Sequence, residues 1–266
     1  MKRRDFLTSS AAIASAVAAS PLLGAEATGS TVAREFYELR VYRLRRGPTQ
    51  KRFDDFYREA AIPAMNRAGI SPVGVFGVMA GPDSPAMYVL LPHKSIESFA
   101  SANERVRADA EYQKAGADFI NAPATDPSYV RVESSLLVAF EKMPKMEVPS
   151  ATAAKRPRIF ELRTYESHSK KANKKKIEMF NNGEIAIFRR TGLMPIFFGE
   201  TLIGGKMPNL TYMLLFENMA ERDKNWGAFG SDAEWKKLSS MPGYTDAEIV
   251  SNISNVFLRP MAYSQV

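Results

Sequence analysis

The chain writes one pattern twice, and that constrains its fold more than anything else in it. Residues 36–42 read FYELRVY and residues 159–165 read IFELRTY, so Glu161 follows Glu38 by 123 positions (161 − 38). Arg67-Ala68-Gly69-Ile70-Ser71-Pro72 and Arg190-Thr191-Gly192-Leu193-Met194-Pro195 match at the same offset. Tyr88-Val89-Leu90-Leu91 and Tyr212-Met213-Leu214-Leu215 match at 124 (212 − 88), and Asp109-Ala110-Glu111-Tyr112 and Asp232-Ala233-Glu234-Trp235 match again at 123 (232 − 109). Four collinear blocks make two copies of one unit, each too long for a solenoid repeat.

Within the first copy, residues 35–44 alternate and are rich in aromatic and β-branched side chains, which predicts a strand. Gly47-Pro48 then opens a helix, with Phe53, Phe56, Tyr57, Ala60, Ala64, Met65 and Ala68 at three- and four-residue steps and Pro63 predicting a kink. Two short strands follow at 71–80 and 87–91, separated by the turn signal Gly81–Pro85. Ser95 caps a second helix carrying Ile96, Phe99, Asn103 and Val106, and residues 129–140 close as a strand. The second copy repeats the order at 158–166, 172–191, 194–203, 210–217, 219–239 and 246–259. The order is β-α-β-β-α-β, the ferredoxin-like plan. The predicted fold is therefore α+β: two tandem ferredoxin-like units, at 34–143 and 158–262, closing on each other as a barrel with helices outside. Pro144 to Pro157 reads as a linker.

Alternation places Glu38, Arg40 and Tyr42 on one face of the first strand and Tyr37, Leu39 and Val41 on the other. The expectation is that Tyr37, Leu39 and Val41 lie under the helices, while Glu38, Arg40, Tyr42 and their repeats Glu161, Arg163 and Tyr165 meet inside the barrel. Buried charges need partners, and the guanidinium fork matches a carboxylate. These six residues are the candidate ligand-binding set, weighed against a purely structural ion-pair network.

Before residue 28 the sequence speaks of transport. Lys2-Arg3-Arg4, an Ala/Ser-rich weakly apolar run and the small-x-small site Ala25-Glu26-Ala27 predict a removable export signal over 1–27. The paired arginines before Phe6-Leu7 resemble the bacterial twin-arginine signal, which implies folding before export and a periplasmic destination. The run is too polar and too broken for a membrane span. With 45% hydrophobic residues the mature part can build its own core, and it must, because there is no cysteine to staple it.

ELRVY and ELRTY, Gly69 and Gly192, Met219–Trp226 (MAERDKNW) and Ser231–Lys237 (SDAEWKK) together resemble the NIPSNAP family, over about residues 35–260. The resemblance implies a dimeric α+β barrel and little about chemistry. Two departures stand out. Pro92–Asn103 (PHKSIESFASAN) replaces the more family-like FENMAERDKNW of the second copy, and the third strands, MYVLL and TYMLL, lack the His and Trp of relatives.

The remaining candidates read as follows. His93 and His168, the two histidines, are weak candidates for a proton shuttle or a haem ligand; exposed loop positions are expected for both. No cofactor is predicted, with haem kept as an alternative, and no metal, since no ligand spacing is present. Lys170–Lys176 reads as a frayed, solvated helix start; without interleaved aromatics it predicts no nucleic-acid partner. Phe76, Phe197, Phe198, Tyr212 and Trp226 are candidates to line a ligand space. The functional expectation is a small, partly apolar ligand held in a cleft or in the barrel interior. The alternatives are a small-molecule enzyme (cofactor-free oxygenase, isomerase or haem-dependent oxidant) and a structural module, with homo-oligomers open to all three.

Overall fold

The computed structural model describes residues 32–81, 84–154 and 156–266; the expected leader, 1–27, lies outside them. Eight strands close one antiparallel barrel: β1 (Phe36–Arg43), β2 (Gly74–Val78), β3 (Ala86–His93), β4 (Arg131–Ala139), β5 (Ile159–Glu166), β6 (Met194–Ile203), β7 (Asn209–Phe216) and β8 (Asn252–Pro260). The order around the barrel is β1-β3-β2-β8-β5-β7-β6-β4. Each copy contributes four neighbouring strands, and the copies join where β2 meets β8 and where β4 meets β6. Closure removes the edge strands that two separate ferredoxin-like sheets would expose.

The repeated blocks pair with one another. Asp109 caps the helix Ala110–Ala115 through the Tyr112 amide and receives Arg67 at 2.6 and 2.8 Å. Asp232 caps Ala233–Ser239 through the Trp235 amide and receives Arg190 at 2.8 and 2.9 Å. Gly69 and Gly192 end the preceding helices at φ 77° and 85°, the left-handed stop that glycine supplies without steric cost. Those helices are interrupted at equivalent places by a π-helical turn, Tyr57–Ala61 and Phe180–Glu184. Pro63 cannot be its cause, because the second copy has Ala186 there and makes the same turn.

Four expectations need correction. The faces of the ELR strands are exchanged. Tyr37, Leu39, Phe160 and Leu162 pack inside the barrel with Phe76, Phe197 and Leu258, whereas Tyr42 lies among Phe53, Tyr57 and Phe119 under the helices. Around these residues the barrel interior is packed with apolar side chains. It is in the layers between sheet and helices that the charged rows find partners. Next, the third strands are equivalent at 123, not 124: Val89 stands opposite Arg40 as Tyr212 stands opposite Arg163, so Tyr88 and Tyr212 point to opposite faces. Third, Asp246–Ile249 is a helical turn with a capping box, and the last strand starts at Asn252. Finally, the lysine run does not fray. Ser169 caps the helix Lys170–Met179, and Lys176 is buried.

Candidate functional site

In both copies the ELR strand holds its carboxylate against the arginine two residues on, which is the same-face neighbour on a strand. Arg40 meets Glu38 with Nε to Oε1 at 2.7 Å and Nη2 to Oε2 at 2.8 Å. Arg163 Nη1 meets Glu161 Oε1 at 2.6 Å. A residue of the last strand of each copy, opposite the arginine in register, donates to the carboxylate: Ser134 Oγ to Glu38 at 2.8 Å and Asn255 Nδ2 to Glu161 at 2.9 Å. The two triplets are not brought together as expected. Each stays in its own helix–sheet layer.

There the copies part company. Glu161 also accepts Arg222 Nε and Nη2 and Trp226 Nε1, each at 3.0 Å. The indole lies against the Arg163 guanidinium, 4.6 Å from ring centre to Cζ, and Tyr165 and Tyr212 complete the network through a 3.0 Å hydroxyl contact. No room is left. The position of the first copy equivalent to Trp226 is Asn103 (226 − 123), whose Oδ1 accepts Arg40 Nη2 at 3.2 Å. A small amide in place of an indole leaves a cleft of about 530 Å³. Glu38, Arg40, Asn103 and Ser134 form its polar floor. Tyr42, Phe56, Tyr57, Val106, Phe119 and Tyr129 supply an aromatic and aliphatic wall.

Two donors face this cleft without a protein partner. The Tyr57 hydroxyl, carried in by the π turn, is buried and unbonded, and burial raises its pKa well above the ordinary phenol value. Arg40 spends Nε and Nη2 on Glu38 and Asn103, and its Nη1 makes no hydrogen bond among the described residues. Burial alone would raise the Glu38 pKa. The adjacent His93, Arg40 and Ser134 outweigh it and hold the value at about 2.

His93 corrects another expectation. It ends β3 wholly buried, with Nε2 3.9 Å from Glu38 Oε2 and its ring edge-on to Phe99. It stands behind the carboxylate and does not line the cleft. His168 is exposed on the loop after β5, as expected, and neither imidazole lines the cleft. The five aromatics expected to line a ligand space do other work: Phe76 and Phe197 fill the barrel, Phe198 and Tyr212 fill the second helix–sheet core, and Trp226 seals it. Tyr57 and Asn103 enter the sequence reading only as helix-face positions, and Ser134 has no assigned role there. Asn103 was within reach, since aligning the repeat at 123 sets it against Trp226.

The NIPSNAP family pattern matches residues 37–140 and again 160–265. The chain belongs to the NIPSNAP family. Its two NIPSNAP repeats are the two halves of the barrel. Among solved structures, a candidate monooxygenase of Lactobacillus acidophilus is similar at TM-score 0.57 and 7% identity, covering 85% of this chain and 94% of that one. A candidate monooxygenase of Fusobacterium nucleatum is similar at 0.55 and 7%, covering 86% and 93%. A NIPSNAP-like domain protein of Burkholderia xenovorans is 21% identical over 41% of this chain and 90% of its own, at TM-score 0.37. For the first two, at 7% identity, the likeness is one of fold. No curated protein matches the chain. No helix of the described residues is long and apolar enough to cross a membrane.

Proposed function

We propose that this NIPSNAP protein binds a small, partly apolar molecule in the cleft of its first repeat, and that the second repeat is the closed structural counterpart. The observation that carries this is the exchange of Trp226 for Asn103 at equivalent positions, which opens the same layer in one copy and seals it in the other. A cleft of this size with an apolar wall and a few convergent polar groups is the usual form of a small-molecule site. The unpaired donors, Tyr57 hydroxyl and Arg40 Nη1, select a ligand with an oxygen acceptor on a flat apolar body, such as a phenol, a quinone or an aromatic acid. Glu38 supports binding over acid–base catalysis. A carboxylate held near pKa 2 is ionised at neutral pH and is a weak base, far from the matched pKa that proton transfer favours. The composition of residues 1–27 supports the further proposal that the protein acts after export, in the periplasm.

The test is Asn103→Trp, which installs the second repeat's own plug. With 2-naphthol, 1,4-naphthoquinone and 2-naphthoate as probes, the parent protein is expected to bind at least one saturably by dialysis. The variant should lose that binding by tenfold or more, about the loss of one well-packed contact set, while its melting temperature holds or rises. Undiminished binding by the variant, or no binding of any probe by the parent, overturns the proposal.

A further inference from the structure

The barrel interior is filled at one end and hollow at the other. Tyr37, Phe76, Phe160 and Phe197 pack one end solid. The opposite end holds a cavity of about 580 Å³, on the far side of β1 and β4 from the cleft. Its floor is aliphatic: Leu39, Leu137 and Leu162. Its wall is mixed. Val41 and Val256 share it with the hydroxyls of Ser135, Thr164, Thr201, Thr211 and Ser254 and the amides of Asn209 and Asn255. Thr164 and Thr211 share a 3.0 Å hydroxyl contact and Thr201 donates to Asn209 at 2.6 Å. Each of these oxygens keeps further donor or acceptor capacity, because a hydroxyl offers one hydrogen and two lone pairs. The filled end of the same barrel is lined with aromatic and aliphatic side chains, so a hydroxyl ring above a leucine floor is a lining for something other than core.

Lys206 marks the rim. It is the one non-glycine residue with positive φ among the described residues, at 60°, directly after Gly204 and Gly205. Glycine or asparagine would sit there with less strain. The exposed lysine instead bends over the mouth to Ser254 Oγ at 3.1 Å, bridging the β6–β7 hairpin to β8. Strained residues held in place at a cavity mouth are a recognised mark of ligand clamps. The other rim charges, Arg43 and Glu133, lie within 3.3 Å of each other and largely cancel.

We infer that the barrel mouth is a second binding site, for a small polyhydroxylated carboxylate such as a sugar acid. The hydroxyl ring takes the polyol, the leucine floor takes its C–H face, and Lys206 takes the carboxylate. This site stands apart from the cleft and does not depend on its reading.

The experiment titrates the full chain with glucuronate, glucose and hexanoate, followed by ligand-observed NMR. Glucuronate is expected to bind most tightly. Glucose lacks the charge and hexanoate lacks the hydroxyls, and each should bind about tenfold more weakly, the worth of one charge-assisted hydrogen bond or its equivalent. Lys206→Asn suits the backbone and should bring glucuronate down to the level of glucose while leaving glucose itself unchanged. Thr211→Val should weaken both sugars. Asn103→Trp, on the other face of the sheet, should change neither. Hexanoate binding as well as glucuronate, a silent Lys206→Asn, or no saturable glucuronate binding in the millimolar range each overturns the inference.

Discussion

The buried pair Lys176–Glu184 offers the sharpest test of how this protein uses charge. Nζ lies 3.1 Å from Oε2, and the two side chains are 1% and 2% exposed. The ammonium also lies 5.1 Å from the centre of the Phe180 ring and 5.5 Å from that of Trp235. The first repeat has Phe53 and Ala61 at the equivalent positions (176 − 123 and 184 − 123), so the chain itself contains the apolar alternative. Lys176→Met removes one partner and strands the other. The expected cost is about 3–5 kcal/mol at pH 7, the usual penalty for an uncompensated buried charge. Lys176→Phe with Glu184→Ala removes both and installs the first repeat's pair. Replacing a buried ion pair by apolar groups is often neutral or stabilising, and the volume lost here is small, so the double variant should fall within about 2 kcal/mol of the parent. Burial already pushes Glu184 up, against the pull of Lys176. With the lysine gone the folded state keeps the carboxyl protonated above 4.5, where the unfolded chain has released its proton. The folded state then binds more protons, so the stability of Lys176→Met should fall as pH rises from 5 to 8. Urea unfolding of the parent and both variants at the two pH values measures this. A double variant as unstable as Lys176→Met would show that the pair contributes its own net stability and refute the reasoning.

Two further outcomes follow from the same geometry. Glu38 and Glu161 are held at about 2 against an ordinary 4.5, because their arginine, histidine and amide partners outweigh burial; each contributes about 3 kcal/mol above pH 4.5, lost as pH falls towards 2. Acid titration of the urea midpoint should show that loss, and Glu161→Gln should reduce it by about half, leaving the share of Glu38. Gly199→Ala would set a Cβ 2.8 Å from Leu137 Cβ across the β4–β6 seam, an overpacking cost of about 1–3 kcal/mol. Gly205→Ala, with nothing within 4 Å, is the matched control and should melt with the parent.

The architecture was legible because its devices recur in the sequence at fixed spacing. Arg67 and Asp109 announce themselves by reappearing as Arg190 and Asp232, and two ferredoxin-like units with four exposed strand edges have few ways to finish other than closing. Which face of β1 looks inward was not legible. Hydropathy separates its rows, Tyr37, Leu39 and Val41 from Glu38, Arg40 and Tyr42, but both faces of the strand are covered, one by the barrel and one by helices, and charge can find a partner on either. His93 was misread because its neighbours Pro92 and Lys94 look like loop. The ladder pair Phe36–His93 carries β3 two residues past the expected end at 91 and sets the ring edge-on to Phe99. The cleft depends on an absence, the missing indole at Asn103, and an absence is visible only when one repeat is laid against the other.

Joining the two halves on one chain has a consequence for evolution. An assembly of identical subunits must carry two pockets or none, since any change that fills one fills both. Here the halves mutate independently. One can stiffen around Trp226 and absorb the task of holding the barrel shut, which frees the other to keep a hole where a hole is useful.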